Sequence, residues 1–380
     1  MKTGIAVALA VFFAVFLTGC GDDDSNSVTD IPAALEEIVR TTAADEAIPS
    51  VVLKVDDRGR GILWSGAAGQ ADPSAGTPMT AETQFRTASV TKMLTATVVM
   101  RLVEEGQLLL DNPVAGYLAE SGIPFDSLLV YQNHSYGSAI TLRQCLQHTT
   151  GLADYVFDGE RNMSGYTPFL QYVLDHPTLQ WQPLELVQWT YRRLPAKFAP
   201  GSGWHYSDAN YVLLGMVIEA VTGAALEQAY HVYLLDPLGM THTYLETRET
   251  PTSGGVLSHP FLGNVDTAPI NTSFDWAGGG LVSTVDDLTR FLRVFAADSI
   301  FSNGASKQAM FSWYELGGGV SYGLGVARLD FPQGVVWGHD GAYGSFMYYW
   351  PAKDLTMCGT INQVEADVGE FEARLMRVLR

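Results

Sequence analysis

Ser89-Val90-Thr91-Lys92 is a stretch whose residue types and spacing could do covalent chemistry. Residues three apart at the start of a helix share one face, so an ammonium can sit beside a hydroxyl. Serine is a weak nucleophile and needs a neighbouring base or proton carrier, and a helix N-terminus adds partial positive charge. The bland alternative is an N-cap serine with a solvated lysine. It fits less well here, because residues 91–105 are apolar nearly all round and such a helix is buried. Tyr206-Ser207-Asp208-Ala209-Asn210 is a second candidate, on a loop before the apolar run that begins at Tyr211. A phenol near a lysine ammonium has its anion favoured and could take the proton of Ser89; the alternative is a core tyrosine that anchors the loop. The third candidate, His339-Asp340-Gly341, follows the apolar Val335-Val336-Trp337. A strand ending this way can line a cleft edge with a donor side chain and backbone N–H groups, or can simply turn at Gly341.

Three such groups act together only if a scaffold converges them. A helix is expected to start near Asp30, with Pro32 in its first turn. Strand-like runs follow at 51–55 and 61–65, with Asp57-Arg58-Gly59 as the turn between them. Helices are expected at 91–105, 142–147, 184–193 and 211–222, and another begins at Ser283-Thr284 with Asp286 and Asp287 in its first turn. From residue 322 the pattern changes to short β-branched and aromatic runs at 322–329, 334–338, 345–350 and 355–361, closed by a helix at 370–379. Strands at both ends and helices between predict an α+β fold: one antiparallel sheet built from the N- and C-terminal segments, flanked by helices, with a mostly helical lobe inserted.

Taken in order, Ser-x-x-Lys, Tyr-Ser-x and His-x-Gly resemble the penicillin-recognising serine hydrolases: class C β-lactamases, DD-carboxypeptidases with a His-x-Gly motif, and family VIII esterases. Supporting stretches look similar: Ile140-Thr141-Leu142-Arg143-Gln144 running to His148-Thr149-Thr150-Gly151-Leu152, Pro237-Leu238-Gly239-Met240, and Gly279-Gly280-Leu281-Val282-Ser283-Thr284. The resemblance runs from about Ile48 to the C-terminus. It implies an acyl-enzyme on Ser89, with Lys92 helping to move its proton, Tyr206 as base and His339 orienting the substrate. It also implies an oxyanion hole from the backbone N–H groups of Ser89 and Ala342, with Asp208, Gly341 and Ala342 at the substrate. Esters, D-amino-acid peptides and β-lactams are all open as substrates, and peptidoglycan fragments are among them.

Two departures from the family pattern carry expectations. Many members have Asn where this chain has Asp208; an amide can donate to a substrate carbonyl and an ionised carboxylate cannot. Weaker handling of penicillins and peptides is therefore expected, and Asp208 should favour a protonated Lys92. (Reading Ser207-Asp208 as the start of Ser-Asp-Asn puts Ala209 in the Asn place.) His339 stands where many β-lactamases have Lys, so recognition of a substrate carboxylate should be weaker and pH-dependent.

The ends and the composition bound the setting. Met1-Lys2 and the apolar run 5–17 have the anatomy of an export signal, and Leu17-Thr18-Gly19-Cys20 resembles a bacterial lipobox. Residues 1–19 are thus expected to be a lipoprotein signal peptide, with Cys20 lipidated and 20–30 an acidic tether. One serine hydrolase domain would span 31–380, its α/β lobe made of 31–92 and 275–380 and its helical lobe of 93–274. The expected place is the periplasmic face of an envelope membrane, the outer one favoured by Gly21 after Cys20. The formal net charge of −19 argues against nucleic acid as a partner. No Cys/His spacing fits zinc, so no metal is expected, nor any cofactor; a monomer is expected. Cys145 and Cys358 could pair in an exported protein, and spacing alone leaves that open. His148 reads as a helix-finishing, packing residue, and Trp204, Trp276, Tyr343 and Phe346 as cleft lining or core. The competing functional reading is a non-catalytic binding or sensor lipoprotein on the same scaffold; retention of Ser89, Lys92 and Tyr206 weighs against it.

Overall fold

The computed structural model describes residues 30–251, 254–364 and 368–380. The expected export signal, the expected lipidation at Cys20 and the expected tether up to residue 29 fall outside the described residues. Helix α1 (Ile31–Thr42) starts where Asp30 predicts, since that carboxylate accepts from the Ala33 N–H at 3.1 Å with Pro32 in the first turn. The N-terminal part supplies β1 (Ser50–Asp57), β2 (Ile62–Asp72) and the short β3 (Thr77–Pro78). The C-terminal part supplies β4 (Tyr314–Gly317), β5 (Val320–Tyr322), β6 (Ala327–Phe331), β7 (Gly334–Gly341), β8 (Ser345–Trp350) and β9 (Leu355–Thr360). Together they form one antiparallel sheet in the order β4-β5-β6-β7-β8-β9-β1-β2-β3, joined where β9 pairs with β1. The expected sheet from both termini is therefore present.

The chain between these parts holds α2 (Thr91–Glu104), α3 (Leu142–Gln147), α4 (Pro183–Arg193) and α5 (Asp208–Thr222). Helix α6 (Val285–Ala296) follows, its N–H at Asp287 capped by the Thr284 hydroxyl, and α7 (Val368–Leu379) closes the fold. Strand alternation sends Val51, Leu53 and Val55 of β1 to one face, against Leu35 and Val39 of α1 and Phe371 and Leu375 of α7. Val52, Met347 and Cys358 face the other way, into a larger core with α2, α5 and α6. Helices thus cover both faces of the sheet, which is what a two-sided apolar sheet requires.

Three local expectations change. The run 322–329 is two strands, because Gly323 N–H turns back to the Val326 carbonyl and Leu324 N–H bonds Met310 instead of the ladder. Helix α5 begins at Asp208 rather than at Tyr211, since its first N–H is capped by a distant carboxylate, Asp154. A helix at Pro168–Asp175, capped by Thr167, was not anticipated. Cys145 and Cys358 are both free and buried, and burial pushes the Cys358 thiol up to about 12.

Candidate active site

Ser89 lies in a single 3-10 turn, Ala88–Val90, that feeds straight into α2. Ala88 holds a positive φ of 44°. For a residue with a side chain that is a strained conformation costing about 1–3 kcal/mol, and such strain collects at functional sites. The turn is held by three hydrogen bonds at Thr87. Thr87 N–H and hydroxyl both donate to the Leu281 carbonyl, at 2.9 and 2.8 Å, and the Ser345 hydroxyl donates to the Thr87 carbonyl at 2.6 Å. Gly341, at the end of β7, lets the strand come this close: a Cβ there would stand 2.5 Å from the Thr87 carbonyl oxygen and 2.9 Å from Ala88 Cβ. Gly341 therefore serves the site by close approach. Ala342 follows it, half-buried, in the turn closed by Gly344 N–H on the Gly341 carbonyl.

Two of the expected partners converge on Ser89. The Tyr206 hydroxyl donates to Ser89 Oγ at 2.7 Å, and Lys92 Nζ donates to it at 3.1 Å. Ser89 itself is half-buried and so remains reachable. Its hydroxyl is held by these two side chains and it does not cap α2, for which Val90 occupies the cap position. Lys92 is fully buried; it also donates to the Gly278 carbonyl at 2.8 Å and forms an ion pair with Asp208. The backbone at Gly278 can approach because no side chain intervenes: a Cβ would sit 2.9 Å from Asp208 Oδ1. Asp208 is thus placed against the lysine beside the nucleophile.

Burial changes two expectations of charge. Burial, together with the Asp208 carboxylate, pushes the Tyr206 phenol well above its ordinary pKa. The lysine ammonium lies 4.8 Å from the Tyr206 ring centroid, but its charge is already matched by Asp208. A resting phenolate is therefore not favoured. His339 is buried, and burial, aided by the Lys92 charge, pulls it down to about 3. It stays neutral from pH 5 to 8 and cannot supply the pH-dependent charge expected of it. Its Nδ1 lies 2.6 Å from the Asp340 carbonyl, which can only accept, so the proton is on Nδ1. Nε2 then accepts from the Tyr322 hydroxyl at 2.9 Å. His339 braces the end of β7 and Tyr322.

Three groups that sequence reasoning missed complete the surroundings. The Asp154 carboxylate accepts from the backbone N–H of Asp208 at 2.9 Å, and from Val156 and Phe157. Burial, with the neighbouring Asp208, raises it. Asp275 is half-buried, accepts from the Tyr343 hydroxyl at 2.7 Å, and is raised by burial to about 7. Arg86, buried, pairs with Glu246 at 2.8 Å and donates to the carbonyls of Thr267, Ala268 and Ile270, which ties down the segment that leads to Asp275. Of the aromatic residues, Trp204 and Tyr343 are half-buried at the site, while Trp276 and Phe346 are core.

The comparisons with known proteins agree with this arrangement. A model of the Beta-lactamase family matches residues 35–379. The chain is 34% identical over 216 residues to "Esterase EstB" of Burkholderia gladioli, covering 57% of this chain and 52% of that protein, so the match spans about half of the relative's length. Among solved structures, a D-stereospecific amidohydrolase from Streptomyces sp. superposes with a TM-score of 0.75 at 28% identity, covering 91% of this chain and 97% of that one. An octameric penicillin-binding protein homologue from Pyrococcus abyssi shares the fold with a TM-score of 0.71 at 24% identity, over 92% of this chain and 76% of its own; the expected monomer gains no support from it. A serine held between a lysine and a tyrosine, a sheet made from both ends of the chain, and a family match over nearly the whole domain agree: the chain belongs to the Beta-lactamase family of penicillin-recognising serine hydrolases.

Proposed function

We propose that this hydrolase cleaves carboxylic esters or amides through an acyl-enzyme on Ser89, and that it prefers neutral or cationic substrates to anionic ones. The observation that carries the chemistry is the meeting of Tyr206 and Lys92 on one reachable serine oxygen. Because the phenol is neutral at rest, Tyr206 works as a proton shuttle: it takes the Ser89 proton as it gives its own to the leaving alcohol or amine. Ser89 Oγ bonds to the carbonyl carbon, the leaving group departs protonated, and the tyrosine ends as it began. Lys92 steadies the developing charge on Oγ. The backbone N–H groups of Ser89 and Ala342 would face the carbonyl oxygen. Water then releases the acyl group by the reverse route. The presence of an esterase and an amidohydrolase among the similar proteins supports this substrate class.

The preference rests on charge. The basic groups near Ser89 are matched or neutral: Lys92 with Asp208, Arg86 with Glu246, and His339 uncharged. Penicillins and peptides ending in a free carboxylate meet no unmatched cation among these groups. Asp275 adds a sign that can be read. Its carboxyl is raised to about 7, so it is neutral below that pH and anionic above it. The ratio of kcat/KM for mono-p-nitrophenyl succinate to that for p-nitrophenyl acetate should fall as pH rises through 7. A single charge about 10 Å away at intermediate dielectric gives a fall of roughly fivefold to twentyfold. Asp275→Asn should remove the fall. A ratio that instead follows a group near pH 6.5 in Asp275→Asn would show that His339 titrates and would sink the charge argument.

A further inference from the structure

His148 and the segment after it have no part in the proton route above, yet the loop that carries Tyr206 is built on them. His148 ends α3 in a left-handed conformation, φ 60°, and is fully buried. From this corner the backbone runs alongside the Tyr206 loop. His205 N–H donates to the His148 carbonyl at 3.0 Å, Gly201 N–H to the Thr149 carbonyl at 2.8 Å, and Lys197 N–H to the Gly151 carbonyl at 2.9 Å.

The imidazole is fixed as firmly. Ser207 N–H, which can only donate, points at His148 Nδ1 at 3.1 Å, so the ring proton sits on Nε2. Asn210 Nδ2 lies 3.2 Å from the same nitrogen, and Asn210 Oδ1 accepts from the Thr150 hydroxyl at 2.7 Å, which sets the amide's orientation. Burial and the nearby Lys92 charge pull the imidazole well below its usual pKa, so it is a neutral ring. That ring stacks on Tyr206, with centroids 4.3 Å apart and planes at 29°. Tyr322, Tyr211 and Trp204 surround it, at 5.1, 5.3 and 6.0 Å between centroids. The phenol that must reach Ser89 is therefore aimed by a flat, locked, uncharged partner, and geometry errors of about 1 Å at such a group can cost 100-fold in rate.

We infer that His148 is a positioning residue for Tyr206: its stacked ring sets the approach of the phenol to Ser89, while its Nδ1 serves the fold by satisfying Ser207 N–H. The inference rests on the acyl-enzyme reading. The two duties separate by substitution. His148→Asn keeps an acceptor for Ser207 N–H and loses the ring; His148→Phe keeps the ring and strands the N–H.

Both variants are purified as the folded domain, and p-nitrophenyl acetate hydrolysis and urea midpoints are measured. His148→Asn should lose about 10-fold to 100-fold in kcat, with KM within about threefold and the smaller loss of midpoint. His148→Phe should show the larger loss of midpoint and the smaller loss of kcat. Placed on Tyr206→Phe, which has no hydroxyl to aim, His148→Asn should change the residual kcat by less than about twofold. Losses of kcat that track the midpoints in both variants, or an equal loss from His148→Asn with and without the Tyr206 hydroxyl, would overturn the inference. Should His148→Phe not fold, the comparison of His148→Asn in the two backgrounds decides alone. Failure of the acyl-enzyme reading shows differently: Ser89→Ala would then hydrolyse the ester as fast as the unaltered protein.

Discussion

Tyr206→Phe lowers kcat for ester hydrolysis by about 100-fold to 10,000-fold and leaves the fold in place. The range is the usual contribution of a positioned proton-transfer group. Among the described residues the hydroxyl hydrogen-bonds Ser89 Oγ at 2.7 Å, and the ring keeps its stack on His148 in the variant. Ser89 retains its contact with Lys92 Nζ, so losing the phenol hydroxyl should cost the fold only about 1 kcal/mol. Because the phenol acts at the reacting oxygen, the loss belongs in kcat and kcat/KM together, not in KM alone. A variant within fivefold of the parent would remove Tyr206 from the proton route.

Asp208→Ala destabilises the protein by about 3–5 kcal/mol, the cost of removing one partner of a buried ion pair. Lys92 is fully buried, and the Asp208 carboxylate is the acid that the structure places against it. Truncation leaves an ammonium whose remaining partners are the Gly278 carbonyl and the Ser89 hydroxyl. Asp208→Asn is milder, because the amide oxygen still accepts from Lys92. It should also raise turnover of penicillins, since an amide N–H can donate to the substrate's acyl-amide carbonyl. Urea unfolding separates the first effect, and penicillin hydrolysis reads the second. Equal stability of Asp208→Ala and the parent would mean that the pair does not hold Lys92, and an unchanged or lower penicillin rate in Asp208→Asn would mean that the carboxylate does not limit that substrate.

What could be read in the chain beforehand was local. Ser89 and Lys92 are one helical turn apart, Tyr206 precedes a strongly apolar helix, and His339 ends a strand, so neighbouring residues announce their positions. The large sheet was legible for the same reason, since β1, β8 and β9 carry β-branched and aromatic residues between clear turns. Asp154, Asp275 and Tyr322 were not legible. Each meets its partner across a long stretch of chain, and nothing adjacent to it differs from an ordinary loop or strand. The charge state of His339 has no local signal, because it depends on burial and on Lys92, both products of tertiary packing. The strain at Ala88 left no trace either, as the residue type that usually marks positive φ is glycine.

Everything proposed above depends on Ser89 being an activated nucleophile. The most direct test is to expose the purified soluble chain, from Ser27 onward, to a fluorophosphonate and to map the modified peptide by mass. One label per chain is expected, on Ser89, absent in Ser89→Ala and slowed in Tyr206→Phe. Folded protein that takes no label, or takes it at another residue, would rule out Ser89 as the activated nucleophile and favour a binding protein built on this scaffold.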